Sequence, residues 1–387
     1  MNLNRNSLWE SPRRLLVIAL VIMGLGTSPS LHAEMQAADG HANRPILLAY
    51  LPAWVDSTPD QVPLDKLTHI CHAFIKADTQ GHLIPERAMP NRPLIDAAHK
   101  HGVKVLISVG GSESDAFLAP VAADPAKLDL FVHELIDYVK SNDYDGIDLD
   151  WEFPNSEASA QGLIRMIALL RQSIDKLEAD TARDYLLTRA VGGAWAYTYI
   201  PTEVFRDNFD FLNVMCYDCT GPWAELAGHH SPLTASIEGA KHNVATAEQT
   251  LKHWRDERGL PTSMLVMGLP AYGRGFRGVE MFGTVEKNSD AHTTYTYADL
   301  DRKMAEGWTV KRMDNGAPWL VAPDGSEIVG FDDPESIRMK TRWAVGKGLA
   351  GVFFWEATQD RLTDNTHPLI EAAAEIIEST EPSRETQ

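Results

Sequence analysis

Residues 144–154 read Tyr144-Asp145-Gly146-Ile147-Asp148-Leu149-Asp150-Trp151-Glu152-Phe153-Pro154. Successive side chains of a β-strand point to opposite faces, so Ile147, Leu149, Trp151 and Phe153 share one side, while Gly146, Asp148, Asp150 and Glu152 share the other. One face is apolar and the other is a ladder of carboxylates. In the wall of a closed parallel barrel the apolar face would lie under helices, and the acids would point inward and toward the barrel top. Same-face neighbours are about 6.6 Å apart along a strand, so the carboxylates share a small, poorly hydrated volume. Repulsion there raises at least one pKa, which lets a carboxyl group remain a proton donor near neutral pH. Glu152, at the C-terminal end and longest in reach, is the expected donor. Asp150 is placed to orient it or to support developing positive charge. Two other readings stay open at this point. An edge strand would wet the acids, but leaves Gly146 and the Trp151/Phe153 pair without a reason; a Ca²⁺ or Mg²⁺ cage is the other, though flat strand spacing converges ligands poorly.

Working outward, short apolar runs recur at Ile46–Ala49, Leu67–Ile75, Val103–Val109, Gly146–Phe153, Tyr185–Val191, Phe211–Tyr217, Met264–Leu269 and Leu349–Phe354. Helical patterns lie between most of them, at Lys127–Lys140, Gly162–Leu177, Glu238–Arg255 and Pro334–Val345, with Pro368–Ile377 after the last. Alternating strands and helices predict an α/β fold, a (β/α)8 TIM barrel. The long gap between the seventh and eighth runs is turn-rich and aromatic, with strand-like pieces at Trp308–Met313, Pro318–Val321 and Glu327–Phe331. It predicts a small α+β insertion over 276–331 within a catalytic barrel domain spanning 34–387.

Arg5, Arg13 and Arg14 precede the apolar run Leu15–Leu25, which is too short to span a bilayer and leads to Leu31-His32-Ala33. Residues 1–33 are therefore expected to be an export signal cut after Ala33, leaving a secreted, extracellular or periplasmic protein without stable membrane association. Their removal takes three Arg and one Glu and leaves 32 basic against 53 acidic groups, a net charge of −21. A surface this acidic disfavours nucleic acid and anionic lipid as partners. Cys71, Cys216 and Cys219 show no metal-ligand spacing; Cys71 is expected to be a buried thiol, and Cys216 and Cys219 could bridge locally.

The acids Asp145, Asp148, Asp150 and Glu152 resemble the DxxDxDxE signature of glycoside hydrolase family 18. Ser108-Val109-Gly110-Gly111 resembles the family's SxGG, and Met215-Cys216-Tyr217-Asp218 its MxYD. Gly268-Leu269-Pro270-Ala271-Tyr272-Gly273-Arg274 and Gly351-Val352-Phe353-Phe354-Trp355-Glu356 are similar to its seventh and eighth strands. The resemblance spans roughly residues 45–375 in order, and Tyr272-Gly273-Arg274 followed by an insertion is similar to the subfamily whose α+β insertion walls a deep groove.

The resemblance implies an endo-acting chitinase, cleaving β-1,4 bonds between N-acetylglucosamine units with retention and help from the substrate's own acetamido group. It implies Glu152 as general acid, Asp150 as the group that hydrogen-bonds the acetamido N–H and stabilises the oxazolinium-like intermediate, Asp148 behind it sharing charge or a proton, and Tyr217 as the group that orients the acetamido oxygen. Asp218, Trp355, Tyr272, Arg274, Met215, Tyr50, Phe74 and Gly111 would line the sugar site, with Trp355 as its floor; simple packing at the barrel top is the other reading of Trp355, and Tyr50 could equally support the acids. Trp54, Trp223 and Trp319 are candidate loop platforms. Neither metal nor cofactor is expected, and chitin or its oligosaccharides are the expected partners of a monomer. Cell-wall glycan or N-linked glycan cores are the alternative substrates, and a catalytically weak chitin-binding protein the alternative class. One departure stands out: Arg189 sits in an otherwise small-residue fifth strand.

Overall fold

The computed structural model describes residues 44–380. The expected export signal lies outside the described residues. In chain order the strands are β1 (Ile46–Pro52), β2 (His69–Ala77), β3 (Leu83–Ile84), β4 (Lys104–Gly111), β5 (Gly146–Trp151), β6 (Leu186–Val191), β7 (Phe211–Val214) and β8 (Leu265–Pro270). They continue as β9 (Tyr272–Arg277), β10 (His292–Thr296), β11 (Thr309–Arg312), β12 (Pro318–Val321), β13 (Glu327–Gly330) and β14 (Gly351–Trp355). Parallel strands follow the order β1-β14-β8-β7-β6-β5-β4-β2, and β2 pairs back to β1, closing a (β/α)8 barrel. Each expected strand run falls on one of these eight.

The helices that return the chain are capped by the residues that precede them. Asp124 accepts from the amides of Ala126 and Lys127 to start Pro125–Ser141, Ser156 accepts from Ser159 to start Glu157–Thr181, and Asp333 accepts from Ser336 to start Pro334–Gly346. The helix expected over Glu238–Arg255 is interrupted. It forms as Ile237–Lys241 and Ala247–Lys252, followed by one π-helical turn over His253–Glu257. Asn243, at φ 52°, leaves the helical region, and Thr246 caps a fresh start by accepting from Gln249.

The two faces of β5 enter different environments. Ile147, Leu149 and Trp151 are fully buried in one cluster with helix residues such as Phe131, Leu135, Leu163 and Ile167. Burying a side chain the size of Trp151 stabilises the fold by roughly 3 kcal/mol, and its indole N–H is satisfied by Asp115 Oδ1 at 2.8 Å. Inside the barrel a second cluster gathers Leu48, Tyr50, Cys71, Phe74, Val266 and Phe353. Cys71 is a buried free thiol, and Cys216 and Cys219 are also free, so the local bridge considered from sequence does not form.

Between β8 and β14 lies a second, antiparallel sheet in the order β10-β9-β13-β12-β11, with the helix Tyr297–Ala305 after β10. Its β9 pairs with β10 along its whole length, from Tyr272↔Thr296 to Phe276↔His292. Its own apolar cluster contains Ala227, Phe276, Val285 and Ile328, with Trp319 packed against it.

Candidate active site

Gly146 opens β5 because nothing larger fits: a Cβ there would stand 2.1 Å from the Leu186 carbonyl oxygen. From this start, strand alternation carries Asp148 into the barrel interior. Asp148 is fully buried and receives four hydrogen bonds, from Tyr50 Oη (2.8 Å), Ser108 Oγ (2.7 Å), Thr188 Oγ1 (2.7 Å) and Asn213 Nδ2 (3.2 Å). Burial pushes its pKa up, and these donors, from β1, β4, β6 and β7, pull against that. Tyr50 is a partner expected from the sequence, whereas Ser108, Thr188 and Asn213 are not; they are hydroxyl and amide side chains at inward parity on β4, β6 and β7.

Asp150, one step up the ladder, has an environment of a different kind. Its Oδ1 is buried without a hydrogen-bond partner among the described residues, and burial, then the Glu152 and Asp148 charges, raise its pKa well above the usual range. Space for it is provided by Gly110, at φ 122°, where a Cβ would collide with the Asp150 carbonyl oxygen at 2.0 Å. Glu152 follows β5 directly. Burial and then the nearby Asp218 charge push its carboxyl up to about 7, with Arg189 opposing. Ser114, also unrecognised in the sequence, ties the two acids together: its Oγ accepts from the Glu152 amide at 2.8 Å and donates to the Asp150 carbonyl at 3.2 Å.

The Met215–Asp218 stretch leaves β7 at the same mouth. Tyr217 packs edge-on to Tyr272 and Phe353, with centroids 6.1 Å away in each case. Burial, then the charges of Asp150, Glu152 and Asp218, keep its phenol protonated far above neutral pH, so it is a hydrogen-bond donor there. Asp218 receives Tyr272 Oη (2.7 Å) and Arg274 Nε (2.7 Å) on one oxygen and Arg274 Nη2 (2.7 Å) on the other. Burial would raise its pKa, but His230, with Nδ1 3.5 Å away, and the hydrogen bonds and charge of Arg274 bring it well below the carboxylate range. Arg274 is itself held between the rings of Trp223 and Tyr272, at 5.0 and 5.4 Å.

Trp355, at the end of β14, stacks on Phe74 with centroids 5.6 Å apart and planes inclined by 18°, and Tyr50 and Trp54 complete an aromatic group. Gly111 belongs here through its backbone: at φ 88°, a Cβ would lie 2.4 Å from the Phe74 ring. Tyr50 is buried and its hydroxyl is spent on Asp148 and Asn213. Met215 is half-buried against the barrel-interior cluster. Trp54 and Trp223 are about half exposed (47% and 49%), whereas Trp319 packs within the second sheet's own cluster. Asp145, off the ladder by parity, ties down the strand start by accepting from the Val105 amide at 2.7 Å and pairing with His99 and Arg183. Among the described residues no group of three or more His, Cys, Asp or Glu is arranged to hold a metal ion.

Comparison with known proteins joins these features. The family model for glycosyl hydrolases family 18 matches residues 46–360. Chitinase A1 of Niallia circulans is 31% identical over 67% of this chain, which spans 41% of that protein's length. Chitinase 1 of Aphanocladium album is 27% identical over 78% of each chain, and a class V chitinase of Lotus japonicus 28% identical over 90% of each. In fold, the chain superposes on a family 18 chitinase from Cycas revoluta in complex with (GlcNAc)4 with a TM-score of 0.76, at 21% identity over 86% of this chain and 99% of that one. A Group IV chitinase from Ostrinia furnacalis gives 0.77, at 22% identity over 87% and 100%. With the match running from β1 past β14, and the acid ladder standing inside it on β5, this chain belongs to family 18 of the glycosyl hydrolases.

Proposed function

We propose that this chain is a chitinase that hydrolyses β-1,4 bonds between N-acetylglucosamine units, acting within the polymer and on its oligosaccharides, with retention and substrate assistance. The observation that carries the reading is the pair at the top of β5: Glu152, holding a proton up to about pH 7, beside Asp150, whose buried Oδ1 has no partner among the described residues. A buried acceptor without a partner is costly unless a ligand supplies the donor.

In this reading Glu152 protonates the glycosidic oxygen as the bond from C1 breaks. The acetamido oxygen of the same sugar attacks C1 and forms a cyclic oxazolinium-type ion. Its N–H is the donor that Asp150 Oδ1 lacks, and Asp148 behind it shares the negative charge. Tyr217 donates to the acetamido oxygen and aims it, Asp218 with Tyr272 and Arg274 holds the same sugar, and Trp355 gives its apolar face a floor. Glu152, now a carboxylate, takes a proton from water, whose oxygen attacks C1 and opens the ring. The hydroxyl then stands on the face from which the leaving group departed. We also propose that residues 1–33 direct export, that an insertion over about 276–331, which carries most of the second sheet, walls the groove, and that the protein acts as a monomer.

The test is mass spectrometry of products from N-acetylglucosamine hexamer with the parent protein and Glu152→Gln. Cleavage by the parent, and a loss of roughly 10²–10⁴-fold in the variant, are expected. A hexamer left intact by the parent would overturn the reading and direct attention to cell-wall glycan and N-glycan cores.

A further inference from the structure

β6 carries an arginine among small and apolar residues. Thr188 points into the barrel toward Asp148, so its neighbour Arg189 points outward, and it is fully buried beneath the outer layer. Its Nη2 donates to the Trp151 carbonyl oxygen at 3.4 Å and its guanidinium lies 5.3 Å from the centre of the Tyr197 ring. Nε and Nη1 have no hydrogen-bond partner among the described residues. A guanidinium buried in this way is a costly thing to keep, and packing alone is better served by an aliphatic side chain of similar volume.

What Arg189 does reach is the end of the acid ladder. Trp151 lies between Asp150 and Glu152, and the peptide joining it to Glu152 is held from both sides: Arg189 binds its carbonyl and Ser114 Oγ accepts its N–H at 2.8 Å. The other groups acting on Glu152 and Asp150 are Asp218, Asp148 and each other, with the neutral Tyr50, Tyr217, Tyr197 and Cys71 around them. Arg189 is the cation that acts on both acids. Its charge opposes the rise in pKa that burial and the neighbouring carboxylates impose on each.

We infer that Arg189 is a positioning residue for the reaction: a buried counter-charge behind β5 that fixes the peptide carrying the proton donor and sets the pH window in which the Asp150–Glu152 pair works. The inference rests on the reading of Glu152 as that donor. Removing a cation favours the protonated form of a carboxyl group, so both limbs of the pH profile belong at higher pH without it.

The experiment compares the parent with Arg189→Met, Arg189→Gln and Arg189→Lys by the pH dependence of kcat/KM on the hexamer, by ¹³C-carboxyl NMR titration of Glu152, and by thermal unfolding. In the two neutral variants both limbs and the Glu152 titration are expected to move upward by about one pH unit, while Arg189→Lys keeps the parent's profile. Folded neutral variants whose limbs and titration coincide with the parent's, with only Tm or kcat reduced, would overturn the assignment in favour of packing. So would a fold that is lost in both neutral variants and kept in Arg189→Lys. A parent that leaves the hexamer intact sinks the hydrolase reading alone, because the NMR titration still reports on Glu152.

Discussion

Tyr50 on β1 donates its hydroxyl to Asp148 on β5 at 2.8 Å, across the inside of the barrel. The same hydroxyl oxygen accepts from Asn213 Nδ2 at 3.2 Å. Tyr50→Phe removes both contacts and leaves the ring in place, so the buried carboxylate loses one of its donors. The expected cost is roughly 1–3 kcal/mol, read as a lower denaturant midpoint. Asp148 should also hold its proton to higher pH, so the acidic limb of the activity profile should rise. A profile that stays put while stability falls would confine Tyr50 to packing.

Glu152 connects stability with pH. Its carboxyl is raised in the folded protein to about 7, from an ordinary value of 4.5. Below the ordinary value both states are protonated and the group contributes nothing. As pH rises from there to about 7 the unfolded chain loses its proton first, so the fold is progressively destabilised, and the full penalty is present above it. Glu152→Gln removes an ionisable group and should raise Tm at pH 8 but hardly at pH 4, with a difference of about 3 kcal/mol. Equal shifts at both pH values would contradict the raised pKa. Activity has the same sign, since the donor must be protonated, and kcat/KM should fall as pH passes through about 7.

Gly111 tests the aromatic floor. Alanine there must accept φ 88° and a contact of 2.4 Å with the Phe74 ring, which stacks on Trp355. Gly111→Ala is expected to lose about 1–3 kcal/mol of stability and to raise KM for the hexamer several-fold, because Phe74 must leave Trp355. Calorimetry together with steady-state kinetics would check both.

Lys340 is a fully buried cation, and its Nζ reaches Asp332 Oδ2 at 2.6 Å and the Ser231 carbonyl at 2.5 Å. Asp332 follows β13, and Ser231 belongs to the loop after β7, so this ion pair joins the second sheet's exit to the loop that carries Asp218. Lys340→Met strands the Asp332 charge in the interior. A loss of roughly 3–5 kcal/mol is expected, and Lys340→Met combined with Asp332→Leu should recover part of it. A double variant no more stable than the single one would show that the remaining polar partners, not the charge, set the cost.

Much of this molecule is legible in one dimension, because strand alternation is a local property. The inward acids of β5, the strand–helix rhythm and the motifs around Ser108, Met215, Tyr272 and Trp355 all follow from residue order. The break in the expected helix over Glu238–Arg255 was less legible: its apolar spacing is continuous, and only the left-handed Asn243 and the Thr246 cap, each a one-residue signal, mark the interruption. The start of β9 at Tyr272 was hidden for a different reason, since Tyr272-Gly273-Arg274 reads as the end of a barrel strand until its partners across the second sheet are known.

What the sequence by itself determined is therefore the type of barrel and the identity of its acids, since parity along a single strand assigns Asp148, Asp150 and Glu152 to one face. Which environment each acid meets was decided only by the tertiary structure. Asp148 is surrounded by hydroxyls and an amide from strands as far away in sequence as those of Tyr50 and Asn213, Asp150 keeps an oxygen without a partner among the described residues, and Glu152 feels the opposed charges of Asp218 and Arg189. A pKa depends on burial and on charges within a few ångströms, and barrel closure brings those groups together from five different strands and the loops that leave them.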